Sequence, residues 1–207
     1  MSIAIHTAMD IDSDRVLATA ILSFSTDPFV RWAAADPYHY LTHYPASFRP
    51  FLAQALRNRT AYYSQAFSGV ALWLPPEVSV DEQALAAAVK ILAPASMQEE
   101  AFSILEQMSS YHPTQPHWYL PLMGVEPRHQ RQGLGSALLK HALIACDCDN
   151  QFAYLEASSP QNLAIYERHG FEVIGTIQAG SSPPIFPMLR EPNYKQKPVM
   201  YRSMGDG

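Results

Sequence analysis

The chain has 207 residues, 48% of them hydrophobic and 16% charged, and a formal net charge of −5. That length and composition suit one α/β domain with a sizeable core and exclude a disordered chain. The negative balance argues against nucleic acid as a partner and is compatible with a cationic small molecule, and no apolar run reaches the ~18 residues of a membrane span.

Residues 2–8 (SIAIHTA) predict a short strand. Asp10 to Ser13 offer N-cap chemistry, and Val16, Leu17, Ala20, Ile21 and Phe24 follow at helical spacing. Asp10, Asp12 and Asp14 fall where a signal peptide would need its apolar region, so the expected location is cytoplasmic. Residues 25–45 are rich in aromatics and interrupted by Pro28, Pro37 and Pro45. They read as loop and short helix, with a separate helix over 47–58. AYYSQ and GVALWLPP form a predicted hairpin turning near Ser68 and Gly69. Asp81 caps a helix that runs to Ile91, and 97–110 is another. HWYLPLMGV (117–125) is a strand, and a helix follows the glycine joint and runs to about Cys146. QFAYLEAS is a strand; a helix opens near Pro160 and ends at Gly170. FEVIGTIQ and IFPMLRE are the last strands. In the polar tail, KPVMYRSM has the pattern to pair at an edge. The order is β-α-α-β-β-α-α-β-α-β-α-β-β, a mixed sheet with helices on its faces. Residues 1–207 are expected to form a single domain, with 192–207 as a tail. Cys146 and Cys148 are too close for an unstrained bridge and lack a second pair at zinc spacing, so they read as reduced thiols and no metal is expected.

The informative joint is QRQGLGSALL, residues 130–139. Glycines permit a tight turn and close approach of a ligand to the backbone. The first N–H groups of the helix behind them are free and its dipole is positive there, so Gln132 to Ser136 form an anion site. A P-loop would need Lys after the second glycine and has none. The dinucleotide fingerprint fits Gly133 and Gly135 but finds Leu138 in the third glycine's place, and VEPRHQRQ separates the turn from its strand.

A third pattern, Q-x-x-G-x-G after a strand ending in V-x-P, is filled at Val125, Pro127, Gln130, Gly133 and Gly135. It resembles the acyl-CoA pyrophosphate loop of the GNAT acetyltransferases. The blocks HWYL, GVEP, LEASSPQN and YERHGF extend the resemblance, which is specific over 117–175 and looser before it, and is most like the puromycin N-acetyltransferase type. It implies the GNAT acyl-CoA N-acyltransferase fold: a mixed central sheet, helices on both faces, and fourth and fifth strands splayed around the pantetheine arm. It implies acetyl-CoA as co-substrate, held by Met123, Gly124, Val125, Gln130, Arg131, Gln132, Gly133, Leu134, Gly135, Ser136, Asn162 and Tyr166. Pro121 is tolerable beside such a splay.

Direct acetyl transfer needs a neutral amine, a donor for the thioester oxygen and a proton or hydrogen bond for the leaving thiolate. Tyr166 is the candidate for the last role. A backbone N–H near Gly124 or Val125 serves the oxygen, and Glu156 is the candidate base, with Glu126, His117 and His129 as alternatives. The aromatic run Trp32, Tyr38, His39, Tyr40, His43 and Tyr44 is expected near the acceptor, with Trp32, Tyr38 and Tyr40 as substrate contacts. The expected reaction is acetylation of a small-molecule amine by a monomer or homodimer. Acetylation of protein lysines or N-termini, a non-catalytic CoA sensor and a dinucleotide-dependent oxidoreductase are the competing functions.

Overall fold

The structure is a computed structural model and describes residues 3–193. The predicted edge pairing of KPVMYRSM lies outside the described residues. Seven strands form one sheet in the order β1-β2-β3-β4-β5-β7-β6, where β1 is Ile5–Thr7, β2 Ala61–Ser64, β3 Gly69–Leu74, β4 His117–Val125, β5 Phe152–Ala157, β6 Glu172–Val173 and β7 Phe186–Arg190. Among the described residues only β4 and β5 pair in parallel; the other neighbours are antiparallel. The helices are α1 (Ser13–Phe24), α2 (Pro28–Ala33), α3 (Pro37–Arg57), α4 (Glu82–Leu92), α5 (Gln98–Tyr111), α6 (Leu134–Cys148) and α7 (Leu163–Glu167).

Alternation along β3 sorts the core onto two faces. Val70, Leu72 and Leu74 pack with α1, α2 and α3; Ala71 and Trp73 pack with α6 and Tyr166 of α7. Each fully buried Leu or Phe contributes ~1.5–3 kcal/mol, so both faces anchor the sheet. At the far end the buried Arg190 guanidinium donates twice to Asp147, at 2.8 and 3.0 Å, tying β7 to the end of α6.

The break in regularity that matters lies in β4. It pairs with β3 as Leu72↔Leu122 and then as Leu74↔Tyr119, so one extra residue sits in β4 between them. This bulge at Leu120–Pro121 flips the phase: Trp118 and Leu120 face α6, whereas Tyr119 and Leu122 face the α1–α4 side. Pro121 therefore has a structural place, because a bulge leaves a backbone group unpaired and proline has none to give. Pairing between β4 and β5 also stops at Leu120↔Leu155, although both strands continue. That is the splay expected for this fold.

Three expectations change. Residues 37–57 form one helix rather than a loop followed by a helix, with Pro45 and Pro50 inside it. An interior proline costs ~3 kcal/mol, but Tyr40, Tyr44 and Phe48 fall four apart, Tyr40 stacking on Tyr44 at 4.9 Å and Tyr44 meeting Phe48 edge-on at 4.7 Å, so packing outweighs the break. The strand expected over 171–178 shrinks to Glu172–Val173 plus a single Ile177↔Ile185 bridge. The helix expected over 160–170 is a short 3₁₀ turn, Pro160–Asn162, followed by five α-helical residues.

Candidate active site

The glycine joint is built as a turn into a helix. Gly133 has φ +86°, a conformation that side-chain-bearing residues rarely adopt, and it caps α6. The Ala137 N–H donates to the Gly133 carbonyl at 3.0 Å. The N–H groups ahead of it thus fall in the free first turn. Beside them opens a cavity of about 610 Å³, lined by Met123, Gly124 and Val125 of β4, by Gln130, Arg131 and Gly133 to Ser136 of the joint, and by Asn162 and Tyr166. Gln132 is absent from this lining; its side chain donates to the Arg128 carbonyl at 3.2 Å. Gln130 donates to the Val125 carbonyl at 3.1 Å and so clamps the joint onto the strand.

The direction of the β4 backbone follows from one bond. The Glu126 N–H reaches Ser68 across β3 at 2.9 Å. Strand periodicity then turns the Gly124 N–H toward β3 and those of Met123 and Val125 toward the gap beside β5. Gly124 is glycine because α1 crosses there: a Cβ would meet Ser23 Oγ at 2.0 Å. These donors, the bare glycine turn and the adjoining Arg131 and Arg168 suit a long anionic thioester carrying amide groups, as in acyl-CoA.

A second cavity, of about 230 Å³, lies between α2, α3, α4, α5 and the β4–β5 split. Phe24, Met123, Asn162 and Tyr166 line both spaces. Tyr166 is only 8% exposed, packs edge-on against Phe171 and has its hydroxyl pKa pushed up by burial, so it is a neutral donor at pH 7. Glu156 lines the second cavity and accepts a 2.9 Å hydrogen bond from the Tyr119 hydroxyl. Burial raises its pKa to about 7 against the pull of that bond, which places it where a base alternates between its two forms.

The other candidates scatter. Trp32 lines the second cavity and its indole donates to Ser181 at 3.0 Å. Tyr40 does not face it: at 2% exposure it is core, with its hydroxyl on the Ile21 carbonyl. Tyr38, 79% exposed, lies on the open side of α3 and lines neither cavity. Tyr44 lines the second cavity, whereas His39 bonds the Leu92 carbonyl and meets the His43 ring at a tilt. Glu126 and His129 bind each other at the end of β4. His117 pairs with His112 at 3.0 Å, where burial lowers both imidazole pKa values, that of His112 to about 4. Neither Glu126, His129 nor His117 lines the second cavity.

Asp27 was missed by sequence reasoning. It caps α2 through the Val30 N–H, accepts the Ser158 hydroxyl at 2.5 Å and lines the first cavity, its pKa raised by burial. The Asp27-Pro28 pair signals a helix start, but nothing in the sequence marks its reach to Ser158.

Residues 99–173 match the family model described as the acetyltransferase (GNAT) domain. A crystal structure described as a histone acetyltransferase and related acetyltransferase from Corynebacterium glutamicum is 25% identical, with 93% of this chain and 98% of that one covered and a TM-score of 0.68. Residues 99–173 thus carry a GNAT acetyltransferase domain, within a chain that has the acetyltransferase fold. The fold is shared with a Drosophila melanogaster polyamine N-acetyltransferase that forms N-acetylagmatine, at 11% identity, 92% and 100% coverage and TM-score 0.66. The PaiA N-acetyltransferase of Thermoplasma acidophilum, solved with coenzyme A, is 13% identical over 92% of this chain and 99% of that one, with TM-score 0.54. GNAT acetyltransferases use acetyl-CoA or CoA, and the cavity beside the glycine joint has the donors for it. Among the described residues no group of three or more His, Cys, Asp or Glu is placed to hold a metal, and no helix is long and apolar enough to cross a membrane.

Proposed function

We propose that this chain, acting as one domain, transfers the acetyl group of acetyl-CoA directly to the primary amine of a small molecule. The observation that carries the reading is the shared wall: a cavity with anion-binding backbone and a cavity with a carboxylate meet at Tyr166. Glu156 takes the proton of the incoming ammonium, so that the nitrogen lone pair can attack the thioester carbonyl. One of the gap-facing N–H groups, that of Met123 or Val125, receives the growing charge on its oxygen. Tyr166 donates its proton to the sulfur as the carbon–sulfur bond breaks, and the second proton that the nitrogen sheds on becoming an amide is carried by solvent back to the phenolate. No acyl-enzyme is needed, and Cys146 is unsuited to form one, because it is buried and burial raises its thiol pKa.

Within the fold, the motif run from His117 to Gly175 supports placement with the puromycin N-acetyltransferase type, and the unbonded cysteines suit a cytoplasmic setting. The test is thiol release from acetyl-CoA over a broad panel of amines, with Tyr166→Phe and Glu156→Gln beside the parent. Release with small amines that both variants suppress supports the reading. Release only with peptides moves the function to protein acetylation, and CoA binding with no turnover on any amine moves it to a sensor.

A further inference from the structure

We propose that the acceptor carries a single positive charge on an otherwise apolar body, and that the cavity discriminates against polycationic amines; this rests on the acetyl-transfer reading above. The second cavity is walled by Phe29, Trp32, Phe48 and Phe51 and by the aliphatic side chains of Leu92 and Ile104. Among the described residues its lining holds one carboxylate, Glu156. The remaining ionisable groups in it are the hydroxyls of Tyr44, Tyr119 and Tyr166, all held neutral by burial. One ammonium therefore finds one counter-charge. A second ammonium on the same molecule would be stripped of water against aromatic rings with nothing to pair it, which is unfavourable.

Three other carboxylates are near, and none serves: Glu100, behind Trp32, already accepts from the Ser181 N–H and hydroxyl. Asp27 opens on the cofactor side, where the Ser158 hydroxyl and the Val30 N–H already occupy it. Glu82 lies on an adjoining cavity that shares Phe51, Leu85, Leu105, Met108, Tyr119 and Glu156 with the acceptor space, but it is exposed. A cation paired there gains little over water. That adjoining cavity, of about 440 Å³, extends the apolar path past Glu156 and gives a longer body room without adding a buried charge.

The decisive comparison is a matched pair, n-hexylamine and 1,6-diaminohexane, which differ only in the second ammonium. We expect kcat/KM to favour hexylamine by about 10²-fold or more. Leu105→Glu places a carboxylate where the two cavities join, at a half-buried position, and should narrow that gap by at least about tenfold. Leu85→Glu, also half-buried and common to both cavities, replaces it if the first variant does not fold. Equal kcat/KM for the pair, or a gap unmoved by both variants, overturns the inference while leaving acetyl transfer intact. No thiol release with any amine overturns the underlying reading instead. Calorimetric binding of the same pair to the protein with CoA then decides the inference without turnover: tighter binding of hexylamine supports it, and equal or weaker binding overturns it.

Discussion

The two cavities meet at one wall but are made in opposite ways. The cofactor side draws its β4 and glycine-turn donors from one continuous stretch, 123–136, most of them backbone groups. The proposed acceptor side draws from six helices and two strands between Phe24 and Ile185, almost all of it side chain. A backbone site survives substitution of its neighbours and changes little in what it binds. A side-chain site can be re-cut one residue at a time, so the fold can keep its donor while its acceptor varies.

The sharpest way to break that contrast is at the groups that belong to the reaction rather than to either wall. In the parent, kcat/KM should rise with pH through about 7 as Glu156 ionises. Glu156→Gln should lack that limb and lose about 10³-fold at pH 8, with the gap closing below pH 7. Stability moves the other way. The folded pKa lies above the ordinary 4.5, so from about 4.5 to about 7 the folded state holds the extra proton and stability falls as pH rises. The Gln variant escapes that loss and should melt higher than the parent above pH 7. A uniform rate loss at every pH would make Glu156 a positioning group only.

Tyr166→Phe keeps the ring against Phe171 and should lower kcat about 10²-fold with CoA affinity retained. The loss should shrink with an acyl donor whose thiol is more acidic; full activity would leave Tyr166 a packing residue. On the cofactor side alone, Gly133→Val forces a β-branched residue to φ +86° beside the phosphate site. CoA should bind about tenfold weaker, or ~1.4 kcal/mol, by calorimetry, with the hexylamine-to-diamine ratio unchanged. A changed ratio would mean the two sides are not separable. Smallest are Tyr38 and Tyr40 of α3. Tyr40→Phe removes a buried hydrogen bond and should cost ~1 kcal/mol of stability in denaturant with acceptor KM unmoved. Tyr38→Ala should stay within ~0.5 kcal/mol and leave kinetics alone.

The same division explains what could be read beforehand. The mixed sheet and the glycine joint were legible because strand alternation, V-x-P and G-x-G are local, whereas the splay came only with the family resemblance that those motifs carry. Asn162 and Tyr166, four apart, were legible for the same reason. Tyr38 and Tyr40 were not. Their facing depends on the register of a 21-residue helix whose prolines look like breaks until packing on Phe48 and Leu52 is known. The bulge at Leu120–Pro121 shows only when β3 is laid beside β4, and the Asp27–Ser158 bond spans 131 positions of sequence.

The common wall of Phe24, Met123, Asn162 and Tyr166 has a thermodynamic consequence. Whatever fills one side fixes side chains that the other side's occupant must touch, so the two ligands are linked. If CoA tightens the amine by some factor, the amine must tighten CoA by that same factor. In the direct transfer proposed above, both substrates sit on the protein together before either product leaves. Initial-rate lines taken at several fixed amine concentrations should intersect rather than run parallel, and the isolated affinity of either ligand should understate its affinity during turnover.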